Sequence, residues 1–106
     1  MKSYKAKWSR HTCEGISRLI DEILQKDAFD SAADRLIHSA LCEVKMRIDE
    51  RLVHIKDLYR FRFSPVQSFA VVVLYEEYVM PFGNHTSFIE NQLLQISNQI
   101  HQLYTI

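Results

Sequence analysis

Apolar positions in this chain recur mostly three or four residues apart. The clearest run lies between Ser31 and Phe63, where Ala33, Ile37, Ala40, Leu41, Val44, Ile48, Leu52, Ile55 and Tyr59 trace one stripe. That period predicts a long amphipathic helix. Roughly thirty residues at 1.5 Å each make a rod of about 45 Å, long enough to act as a spine. Ahead of it, Ile16, Leu19, Ile20, Ile23 and Leu24 repeat the pattern and predict a first helix from about Ser9 to Lys26, capped by Ser9 or Thr12. The short connection Asp27 to Asp30 makes these two an antiparallel hairpin. In that register Cys13 falls near Val44, and Ser17 near Ala40.

Pro65 forces an end to the second helix, because the residue before a proline is pushed out of the α region. Ser64-Pro65-Val66-Gln67 then reads as a new start, with Ser64 as N-cap and Gln67 closing a capping box. The third helix runs to about Val79 and stops at Pro81-Phe82-Gly83-Asn84. A competing pattern overlaps this stretch. Tyr59 to Phe63 alternates like a strand, and Val71-Val72-Val73 has high β propensity, so a hairpin at about 59–75 is the alternative. The Ser-Pro-x-Gln start favours the helix.

A fourth helix starts at Thr86 or Ser87, with Glu90 placed for a capping box. Ile89, Leu93, Ile96, Ile100 and Leu103 are spaced like a short heptad seam, with Leu94 and Tyr104 on other faces. The expected fold is therefore all-α, a four-helix bundle spanning residues 1–106. Residues 1–8 are expected as a basic flexible arm, and α+β with a hairpin is the alternative.

Two Gly and two Pro in 106 residues argue against a turn-rich sandwich or barrel. They also exclude a glycine-rich phosphate loop. No apolar run reaches the roughly 18 residues of a membrane span. No secretory pattern follows the basic N-terminus. A cytoplasmic protein with no membrane partner and no cofactor is the expectation, its two cysteines reduced.

Net charge is zero, but the charges are unevenly placed. All 13 Lys and Arg lie between Lys2 and Arg62. The 44 residues from Phe63 onward contain none, and their acids are Glu76, Glu77 and Glu90. So long a stretch without Lys or Arg points to burial in a core or against a partner. The leading expectation is a non-enzymatic interaction module. It would bind a protein partner or a second copy through Ile89, Leu93, Leu94, Ile96, Ile100, Leu103 and Tyr104.

The second expectation is a nucleic-acid-binding accessory protein. Lys2, Lys5, Lys7 and Arg10 lie on the arm, and Lys45, Arg47, Arg51, Lys56, Arg60 and Arg62 lie beyond the middle of the long helix. The hairpin brings both groups to one end. Lys5, Lys7, Arg10, Arg47, Arg51, Lys56 and Arg60 are the candidate anion-binding set. Tyr4, Trp8, Tyr59 and Phe61 are interleaved with them, a mixture suited to phosphates and bases. Binding would be weak and non-specific.

Two other constellations bear on chemistry. His11, Cys13, His38 and Cys42 have the residue types of a zinc site. The hairpin register, however, puts His38 almost two turns from His11 and Cys13, so core cysteines are expected. Arg47 and His54, separated by six residues, resemble the short motif of the HEPN-type helical ribonucleases. The resemblance rests on those two residues, and Ile48 stands where that family usually has a polar residue. No Ser/His/Asp order or paired-carboxylate site is present to argue for an enzyme.

Overall fold

The computed structural model describes residues 2–26, 31–81 and 87–105. The order is β1 (Tyr4–Ser9), α1 (Arg10–Lys26), α2 (Ala32–Leu52), β2 (Leu58–Phe63), α3 (Pro65–Val73) and α4 (Phe88–Tyr104). A π-helical turn, Leu74–Val79, continues α3 without a break. The described residues are 73% helical, with four α-helices and a two-stranded antiparallel sheet. The fold is thus mostly helical, and the ribbon is what a purely helical reading omits.

Residues 4–9, expected within or beside a flexible arm, form β1. Its register against β2 is Tyr4↔Phe63, Lys5↔Arg62, Ala6↔Phe61, Lys7↔Arg60, Trp8↔Tyr59 and Ser9↔Leu58. Both strands alternate strictly. Tyr4, Ala6 and Trp8 are buried while Lys5 and Lys7 are exposed, and Tyr59, Phe61 and Phe63 are buried while Leu58, Arg60 and Arg62 are exposed. That is the pattern of a sheet with one wet face. On the dry face Trp8 lies 5.5 Å from Phe61 and 5.4 Å from Phe63, ring centre to ring centre. Such ring contacts add about 0.5–1.5 kcal/mol per pair beyond area burial.

The second helix therefore ends at Leu52, not beyond Tyr59. Ala40, Leu41, Val44 and Ile48 of the predicted stripe are buried, and Ile37 and Leu52 are partly so. Ile55 is 90% exposed, and Tyr59 is buried from the strand. The α-helical spacing of these last two is accidental. The period-two alternation of Leu58 to Phe63 prevails because β1 supplies a partner that buries three aromatic rings at once. The alternative hairpin was half correct: the strand exists, but Val71-Val72-Val73 is helical and does not pair with it.

Helix starts follow the sequence. Ser9 Oγ accepts from Thr12 N at 3.2 Å, and Ser31 Oγ accepts from Asp34 N at 3.0 Å. The Ser64–Gln67 capping box is complete, with Pro65 in the first turn. Ser87 Oγ accepts from Glu90 N. α1 packs on α2 and α4, and α3 packs on the same two, so the helices close into a ring. The register of α1 and α2 differs from the short-loop expectation. Ser17 Oγ donates to Asp49 Oδ1 at 2.6 Å, a whole helical segment away from Ala40. The connection itself, 27–30, and the predicted stop at 82–84 lie outside the described residues. No described helix is long and apolar enough to cross a membrane.

Candidate anion-binding face

The exposed side of the ribbon carries two like-charged pairs. Lys5 stands opposite Arg62 and Lys7 opposite Arg60. Directly opposed like charges destabilise a sheet. A third row comes from α2. Arg47 Nη1 donates to the carbonyl of Arg62 and to Gln67 Oε1 at 3.2 Å, and Arg51 Nη1 donates to the carbonyl of Arg60 at 3.0 Å. The same two guanidiniums lie over buried rings, Arg47 5.0 Å from the Phe63 centroid and Arg51 5.6 Å from that of Phe61. Hydrogen bond and cation–π contact together fix each side chain. Lys5, Lys7, Arg47, Arg51, Arg60 and Arg62 line an open trough of about 530 Å³ with Ala6 and Phe61.

Among the described residues none of these six cations forms an ion pair. Ion pairs elsewhere include Arg10–Glu14 and Lys45–Asp49, and His101 Nε2 lies 3.0 Å from Glu76 Oε1. Glu43 stands one turn before Arg47 on α2, and Asp57 three residues before Arg60. Glu43 instead accepts from Gln67 Nε2, and Asp57 and Arg60 do not share a helix. Among the described residues no carboxylate lies within ion-pair distance of the trough's cations.

Five of the seven predicted anion-binding residues meet there. Arg10 does not, because its Nη1 donates to the carbonyls of Leu52 and His54 and to Tyr59 Oη. It ties the end of α2 to the ribbon. Lys56 is exposed in the loop between α2 and β2, beyond the trough. Arg62, the sixth lining cation, was visible in the sequence as part of the basic end. The aromatic residues expected to meet bases turn the other way. Tyr4, Trp8, Tyr59 and Phe61 are all 6% exposed or less. The trough is lined by cations, and the one ring at its wall, Phe61, is 4% exposed.

The predicted partner interface is largely consumed by the fold. Leu93, Ile96 and Ile100 are buried in the core, and Ile89, Leu94 and Leu103 pack against it. Tyr104 remains on the surface and donates to the carbonyl of Lys2. Of the seven, Leu93, Ile96 and Ile100 face the core, while Ile89, Leu94 and Leu103 keep part of their surface and Tyr104 is exposed.

The remaining clusters are local. Cys13 is fully buried, and burial pushes its thiol up to about 11, with Arg10 lowering and Glu14 raising it. Cys42 Sγ lies 3.7 Å from His38 Nδ1, and the His11 and Phe88 rings meet tilted at 4.7 Å between centres. His54 sits past the end of α2, so Arg47 and His54 do not share the helix on which the ribonuclease resemblance would place them. Lys45, Asp49 and Ser17 form a hydrogen-bonded cluster joining α1 to α2. Comparison with protein-family models, curated proteins and solved structures returns no match.

Proposed function

We propose that this chain is a non-enzymatic binding module whose working surface is the outer face of the ribbon, and whose partner is a phosphate-bearing polyanion. One observation carries the reading: Lys5↔Arg62 and Lys7↔Arg60 oppose like charges in a ribbon that would be more stable with a carboxylate in either place. Such an arrangement is a cost to folding that an anionic partner repays. Arg47 and Arg51 add preorganised donors beside it, so little side-chain entropy remains to be lost on binding.

A protein partner on α4 is the second reading, with Tyr104 and the partly exposed Ile89, Leu94 and Leu103 as the side chains that could meet it. Neutral overall charge does not weigh against the ribbon, since the local field is what the partner meets. The test is retention on phosphocellulose. The wild-type chain is expected to bind at low salt and elute as salt rises, despite its zero net charge. A variant with Lys5, Lys7, Arg60 and Arg62 changed to Gln is expected in the flow-through. Equal retention of both proteins would overturn the proposal.

A further inference from the structure

We infer that the polyanion is the surface of an anionic lipid bilayer, and that the loop between α2 and β2 is the element that enters it. This rests on the cationic face proposed above and adds an apolar tip at its end. Leu58 lies on the same exposed side of β2 as Arg60 and Arg62, opposite Ser9. From Leu58 the chain leads back through Ile55 and Val53 to the end of α2. Leu58 is 48% exposed, Val53 77% and Ile55 90%. Three large aliphatic side chains are thus exposed within six residues of chain, between Arg51 and Arg60 of the trough. Isolated exposed aliphatics are ordinary on a protein surface, but a group of them at a charged rim marks an interaction site.

The tip is held in place. Arg10 Nη1 binds the carbonyls of Leu52 and His54, Tyr59 Oη donates to the same His54 carbonyl, and Lys56 N donates to Tyr59 Oη. The backbone is tied at residues 52, 54 and 56. The apolar side chains at 53 and 55 lie between those ties. Their exposure is therefore built into the fold.

A cationic collar around an aliphatic tip matches a bilayer with acidic headgroups. The cations meet the negative surface potential while the tip enters the acyl boundary. Arg51 and Lys56 flank the exposed aliphatics in sequence, Arg60 follows them on β2 with Lys7 opposite it, and the acids close by in sequence are Asp49, Glu50 and Asp57. A nucleic-acid duplex presents the same phosphate chemistry but gives Val53 and Ile55 nothing apolar to meet. A single strand would need outward rings, and the ribbon turns its rings inward. The absence of a spanning helix does not bear on this, because the contact is peripheral.

The experiment is co-sedimentation with vesicles of phosphatidylcholine alone and of roughly two parts phosphatidylcholine to one part phosphatidylserine. A labelled duplex at equal phosphate concentration is the competing probe. Wild type is expected on the acidic vesicles and not on the neutral ones. The variant Val53→Ser/Ile55→Ser/Leu58→Ser is expected to lose about tenfold or more in vesicle affinity, since three aliphatic contacts are removed. It should keep its phosphocellulose retention, and an unchanged circular dichroism spectrum shows that the fold is intact. Duplex binding without acidic-vesicle binding, or unaltered vesicle binding by the triple variant, overturns the lipid inference and leaves the polyanion reading standing. Loss of phosphocellulose retention by the wild type would instead remove the polyanion reading itself.

Discussion

Gly15 of α1 faces Ile89 of α4 so closely that a Cβ on Gly15 would lie 2.1 Å from Ile89 Cδ1 and 2.4 Å from Cγ1. The glycine is there for the neighbouring helix, since its effect on α1 alone is unfavourable. Alanine in its place would improve helix propensity by about 1 kcal/mol. The displaced isoleucine would cost about 1–3 kcal/mol. Gly15→Ala is therefore expected to lower stability in urea denaturation, and adding Ile89→Ala is expected to recover part of the loss. A stabilised single variant would show that the two helices separate more easily than this contact implies.

The opposed cations give a prediction of opposite sign for stability and binding. Lys7→Glu converts the Lys7↔Arg60 pair into an attractive one. It should gain roughly 0.2–1 kcal/mol, the usual worth of such a cross-strand pair. The same change should weaken phosphocellulose retention. Thermal melts and elution salt, measured on one preparation, separate the two effects.

Arg10 secures the junction of α2, the tip and β2 through three acceptors. Arg10→Ala should cost about 1–3 kcal/mol, because carbonyls and a hydroxyl lose a charged donor. Arg10→Lys should restore only part of this, as an ammonium lacks the planar fork. Chemical denaturation curves of the three proteins would order them.

Cys13 and Cys42 should react differently. Iodoacetamide on the native protein at neutral pH is expected to label Cys42, which is half-buried, and to spare Cys13, whose thiol is buried and pushed up to about 11. The same shift has a consequence for stability. The folded value lies above the ordinary 9.0, so the unfolded chain loses its proton first as pH rises. Stability attributable to Cys13 is intact below pH 9.0 and is lost progressively as pH climbs toward about 11. Cys13→Ala should flatten that part of the pH profile.

Core truncations in α4 should unfold the chain without revealing a dissociating dimer. Leu93→Ala and Ile96→Ala are each expected to cost about 2–5 kcal/mol, with no concentration dependence of the melt. A melting temperature that rises with protein concentration would return the α4 seam to an intermolecular role.

The helix starts were legible because caps are local: Ser9, Ser64 and Ser87 each declare a turn within four residues. The ribbon was not legible because its signal is shared. Tyr4-Lys5-Ala6-Lys7-Trp8 alternates for only five residues, and read alone it looks like a basic tail. Tyr59 to Phe63 also alternates, but Ile55 and Tyr59 happen to extend the helical spacing of the stripe before them. Each short pattern becomes decisive only beside the other, and pairing across such a separation leaves no local trace. The cations of the trough were identifiable by type and rough position. Their lack of carboxylate partners was not, since it depends on Arg47 and Arg51 turning to the carbonyls of β2, which no local pattern records.

The register of the ribbon also sets an order of events for folding. Its closest partners in sequence, Ser9 and Leu58, are 49 positions apart, and the whole α1–α2 hairpin lies between them. Closing a loop of that size costs entropy before any cross-strand contact is returned. The two helices shorten the gap once they have docked. Ribbon amides are therefore expected to gain protection after those of α1 and α2 in pulse-labelled hydrogen exchange. In an incomplete or unfolded chain Lys5 and Lys7 are remote from Arg60 and Arg62, and no concentrated field exists. On the reading proposed above, the capacity to attract an anion would arise only once the ribbon has closed.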